Sequence, residues 1–69
     1  MTLTAVLTPA VEGGFIAFNP ETGTTSEGET IKDALTNLRE ATELYLEEFP
    51  VPPDIGSSLL TTFEVAAHA

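Results

Sequence analysis

The chain has no cysteine, no tryptophan, one tyrosine, one histidine and only two basic side chains. Without cysteine no disulfide can staple a small fold, and no thiolate can hold a metal or act as a nucleophile. The single histidine, His68, stands one residue from the end of the sequence, where chains fray, so a nucleophilic triad has no base to draw on. It also cannot supply any of the spaced Cys/His sets of a zinc site. Lys32 and Arg39 stand against 11 acidic residues, for a formal net charge of −9. That field repels a phosphate backbone, so no direct nucleic-acid binding is expected. It attracts a basic protein. No apolar run approaches the ~20 residues that cross a bilayer. The N-terminus lacks the basic segment and apolar core of a signal peptide. These absences point to a soluble cytoplasmic chain.

What remains is a single domain over residues 1–69, of 7.3 kDa and 42% hydrophobic, too apolar for a disordered tail. A chain of this length buries only about 60% of its unfolded surface. Association with further copies is a common way to enlarge such a core.

The most strongly patterned stretch runs from Glu29 to Phe49. Thr30 with Asp33 three positions on makes a helix N-cap signal. Ile31, Ala34, Leu35, Leu38, Ala41, Thr42, Tyr45, Leu46 and Phe49 then recur at steps of three and four, which lines one side of an α-helix. Pro50 ends it. Everything else in the chain has this one apolar side to pack on.

Before the helix, Thr2 to Val11 reads as a strand, with Leu3, Ala5 and Leu7 on one face. Glu12-Gly13-Gly14 predicts a tight hairpin, the two glycines serving as the central pair of a type I′ turn. Phe15 to Phe18 is a second strand with apolar residues on both faces. Asn19 to Gly23 reads as a turn, and Gly23 to Glu27 as a weak third strand broken by Gly28. After the helix, Pro50-Val51-Pro52-Pro53-Asp54 is a stiff connector. Leu59 to Ala67 is a last strand, with Leu59, Thr61, Phe63, Val65 and Ala67 on one face. The order predicts an α+β fold, β-β-β-α-β: a three-stranded antiparallel meander plus a fourth strand, one helix on one face, sheet order 3-2-1-4.

No catalytic, cofactor-binding or metal-binding residue emerges. Gly13-Gly14 is not a phosphate loop, because no helix follows it directly. A two-metal nuclease needs carboxylates on central strands, and the first, second and fourth strands offer only Glu12 and Glu64. On the helix, Glu40, Glu43, Glu47 and Glu48 gather as an acidic face suited to a basic protein partner.

An ordered set of motifs then resembles a known family. Glu12-Gly13-Gly14-Phe15 comes first, then Asn19-Pro20-Glu21, then Gly23 with Ser26-Glu27-Gly28-Glu29-Thr30. A helix follows with Ala34, Leu35, Asn37, Leu38, Glu40 and Ala41 in the pattern Ala-Leu-x-Asn-Leu-x-Glu-Ala, ending Glu43-Leu44-Tyr45-Leu46-Glu47-Glu48. The string is similar to HicB-type antitoxins of toxin–antitoxin pairs, from the first strand through the helix. The resemblance implies a truncated RNase H-like fold without nuclease activity, and a small basic RNA-cleaving toxin, HicA-like, as partner. Thr24 stands where that family commonly has cysteine, and the family's C-terminal DNA-binding segment is not seen after Ala67. The other readings are an orphan structural protein of the same fold and, remotely, a metal-dependent nuclease.

Self-association is the last expectation. One helix cannot cover both faces of a sheet that carries Phe15 and Ala17 on one side and Ile16 and Phe18 on the other. Phe18, Leu60, Phe63 and Val65 are the expected contacts of a homodimer or a dimer of dimers.

Overall fold

The structure is a computed structural model that describes residues 1–50 and 56–67. Residues 51–54 of the expected connector, and His68, lie outside the described residues. Three strands, β1 (Val6–Pro9), β2 (Phe15–Phe18) and β3 (Thr25–Gly28), precede one helix, α1 (Ile31–Glu48). The sheet is antiparallel in the order β1-β2-β3. The α+β meander with a helix on one face is therefore as the patterning requires.

The helix begins where its capping chemistry says it must. Thr30 takes an extended backbone, and its hydroxyl accepts from the Asp33 N–H at 3.0 Å. At the other end the Phe49 N–H closes on the Tyr45 carbonyl, and Phe49 stacks on Tyr45 with ring centroids 5.0 Å apart. Only Ala34, Leu38 and Thr42 of the expected stripe are buried; Ile31, Leu35 and Phe49 are exposed. The buried line is narrow because α1 rests on a short sheet, touching β3 more than β2. It meets Ala17, which is fully buried, with Ala5, Leu7 and Phe15 packed around.

Gly28 explains how close helix and sheet come. It pairs with Phe15 as the last residue of β3. A Cβ there would sit 2.8 Å from the Asp33 Cβ, 2.7 Å from the Asp33 carbonyl carbon and against the Ala34 nitrogen. Only glycine lets the first turn of α1 lie on the strand.

Three local expectations are corrected. Gly13 and Gly14 both have positive φ, 105° and 80°, yet they are not the centre of the turn. The Gly13 N–H bonds the Ala10 carbonyl, so Val11 and Glu12 are central, and the Ala10 N–H returns to the Gly14 carbonyl at 3.0 Å. Pro9 opposite Phe15 leaves five residues to connect, too many for a two-residue turn. The third strand spans Thr25–Gly28 rather than Gly23 to Glu27: the loop from Asn19 to Thr24 is closed by its own bonds before the ladder starts, and Gly28 still pairs with Phe15 at its end.

The third correction is the largest. Leu59 to Ala67 forms no strand, and no fourth strand pairs with β1 among the described residues. The first step of such a ladder is already taken. The Glu21 carboxylate accepts from the Thr4 N–H at 2.7 Å and from the Ser58 N–H at 2.6 Å. Beyond Ser58 every described residue is exposed. The radius of gyration is 14.2 Å, against roughly 11 Å for a compact chain of this length.

Candidate partner-binding surface

Three features surround one end of the molecule: a polar knot, a groove and an acidic helix face. The knot grows from the β2–β3 loop. Asn19 is 1% exposed, and all its hydrogen-bonding capacity is directed inward. Its Nδ2 donates to the Thr4 carbonyl and to Glu21 Oε1, both at 2.7 Å. Its Oδ1 accepts from the Thr22 N–H at 2.9 Å and from the Thr22 hydroxyl. The Thr22 and Thr24 hydroxyls lie 2.8 Å apart, and Thr24 reaches the Thr42 hydroxyl on α1 at 2.8 Å. A chain of polar bonds thus runs from residue 4 through the loop to the helix. It satisfies the buried polar groups where the short β1–β2 ladder stops. No buried side-chain nitrogen or oxygen among the described residues is left without a partner.

Glu21 is the charged member of the knot. The Thr4 N–H, first, and the Ser58 N–H hold its carboxyl down to about 2, because both bonds favour the ionised form. Ser57 adds a hydroxyl bond to the Thr2 carbonyl, and the Thr4 hydroxyl reaches the Ser58 carbonyl. Residues 57–58 are thereby fastened beside residues 2–4. The turn expected from Asn19 to Gly23 is present, closed by the Gly23 N–H on the Asn19 carbonyl at 2.8 Å, but nothing in its residues announces this fastening.

The groove, about 640 Å³, lies between residues 1–5 and α1. Leu3, Ala5, Leu35, Leu38 and Leu46 give it an apolar lining, with Arg39 and Glu43 alongside.

Glu40, Glu43, Glu47 and Glu48 are all exposed on the second half of α1. The last turn of the helix holds no basic residue. Glu47 and Glu48, in that last turn, add to the negative end of the helix dipole, an arrangement that costs about 0.3–1 kcal/mol per charge unless a cation answers it. Of the expected self-association residues, Phe18 is 39% exposed on the sheet face away from α1. Leu60, Phe63 and Val65 are exposed on the segment after Ser58. The structure does not bring Phe18 together with the other three into one patch within the sheet, because they do not belong to it. Among the described residues, no group of three or more His, Cys, Asp or Glu is placed to hold a metal. No described helix is long and apolar enough to cross a membrane.

No family model matches the chain, and no solved structure matches it. Among curated proteins it is 39% identical over 57 residues to UPF0150 protein ssr1765 of Synechocystis sp.. That match covers 74% of this chain and 72% of the relative. A likeness of that extent, over most of both proteins, makes this chain a member of the UPF0150 family.

Proposed function

We propose that this UPF0150 member is a non-enzymatic, HicB-like antitoxin of truncated RNase H-like fold that binds and masks a small basic RNA-cleaving toxin in the cytoplasm. The observation that carries the reading is the acidic second half of α1. Glu40, Glu43, Glu47 and Glu48 are exposed there with no basic residue in the last turn. Lys or Arg side chains of a partner would relieve the repulsion among these carboxylates and between them and the helix end. The net charge of −9 steers such a partner toward the chain from a distance. The motif order from Glu12 to Glu48 supports the same assignment. Masking a nuclease needs affinity and shape, not chemistry, which agrees with a site made of helix surface and an apolar groove.

The test is co-expression with the product of the adjacent reading frame, followed by purification and an RNA-cleavage assay of that product with and without the chain. The expected result is a complex that suppresses cleavage and dissociates as salt rises. A variant with Glu40, Glu43, Glu47 and Glu48 all changed to Gln should fold, and lose the complex. A wild-type chain that leaves the neighbour's activity untouched would remove the reading. Metal-dependent RNA cleavage by the chain alone, lost in Glu12→Ala or Glu64→Ala, would instead establish the nuclease alternative.

A further inference from the structure

Residues 59–67 are an arm with the pattern of a strand that pairs with no strand among the described residues. Leu59, Thr61, Phe63, Val65 and Ala67 alternate along one side, and Glu64 is the sole charged side chain. Leu59 is 88% exposed, Phe63 85% and Val65 75%. So much apolar side chain in water is a poor state for a strand-forming sequence.

The same molecule holds what the arm lacks. β1 forms one edge of the sheet, and among the described residues no strand lies on its outer side. Residues 1–11 contain no charged side chain, so this edge carries none of the charges that usually keep edges apart. Beside it runs the apolar groove between residues 1–5 and α1. The arm does not enter that groove in its own chain. Glu21 has taken the N–H groups of both Thr4 and Ser58, and the chain leaves the edge at that point.

We propose that the arm of one copy lies along the β1 edge and in the groove of a second copy, and that the exchange is reciprocal. Ser57 and Ser58 are fastened at Thr2 and Thr4, so each arm departs from the same corner at which it would receive its partner's. A two-fold axis near that corner lets both exchanges occur at once. Charge permits it. The contact joins two segments with one carboxylate between them, while the acidic half of α1 contributes only Glu43 to the groove. Backbone bonds on the β1 edge would provide affinity, and alternate side chains would set the register. The inference does not rest on the antitoxin reading.

The test uses the full chain, which conveniently has no cysteine. Sedimentation equilibrium at micromolar concentration should give twice the chain mass of 7.3 kDa. Phe63→Glu should return it to the chain mass while far-ultraviolet circular dichroism keeps the helix signal. A copy with Phe63→Cys mixed with a copy carrying Leu35→Cys should form a disulfide-linked heterodimer; Phe63→Cys with Phe18→Cys should not. Three results overturn the proposal: the chain mass alone for wild type, a doubled mass that Phe63→Glu leaves intact, or a Phe63→Cys/Leu35→Cys double variant that closes only within one chain.

Discussion

The arm after Ser58 is at least as apolar in sequence as the sheet-and-helix body, yet only the body is packed. In the body, Ala17, Ala34 and Leu38 are buried and Asn19 is bonded on every side. In the arm, Leu59, Phe63 and Val65 are in water. The difference is not hydrophobicity. It is whether a segment finds, within its own chain, a partner whose backbone and side chains match it. The body's strands are joined by short loops that fix their register. The arm is separated from β1 by the whole helix and is then diverted by a glutamate.

Truncations at the two places sharpen this contrast most. Leu38→Ala is expected to lower stability by about 2–5 kcal/mol, since it empties the centre of a very small core. Phe63→Ala, a larger truncation, should change the stability of the isolated chain by no more than about 0.5 kcal/mol. Chemical denaturation of both variants, at a concentration where the chain is monomeric, decides it. Equal effects would mean that the arm is packed like the body.

The polar knot comes next. Asn19→Ala leaves the Thr4 carbonyl and the Thr22 N–H without their partner, and should cost about 1–3 kcal/mol. The same change at Asn37, whose exposed side chain bonds the Glu27 carbonyl, should cost less. A melting series of the two variants checks the order.

The helix cap is smaller again. Thr30→Ala should cost about 1 kcal/mol by removing the acceptor for the Asp33 N–H. Thr30→Ser should restore most of it.

The subtlest effect is of pH. Glu21 is held down to about 2, below its ordinary value of 4.5. A depressed carboxyl contributes its stabilisation fully above the ordinary value and loses it as pH falls toward the folded one. The fastening of residues 57–58 should therefore weaken from about pH 4.5 down to about 2, with the arm's base released. Amide resonances of Thr4 and Ser58 should move over that range, and Glu21→Gln should flatten the change.

Much of the fold was legible in the residues. Thr30 with Asp33 and the spacing of Ala34, Leu38 and Thr42 determine α1, because capping and a period of 3.6 are local properties of a chain. Phe15 to Phe18 reads as a strand, but with apolar residues on both faces its alternation leaves open which face meets the helix; the packing puts Ala17 there. The acidic face from Glu40 to Glu48 follows from helix geometry alone. Tertiary structure decided the rest. Whether Leu59 to Ala67 is a strand depends on a partner edge, and a strand without one is only an extended segment. That Asn19 is a buried hub as well as a turn residue depends on residue 4 passing beside it. That Glu21 binds Thr4 and Ser58 at once depends on bringing together residues 17 and 37 positions away from it. Local pattern fixes what a segment can become; contacts across the chain fix what it joins.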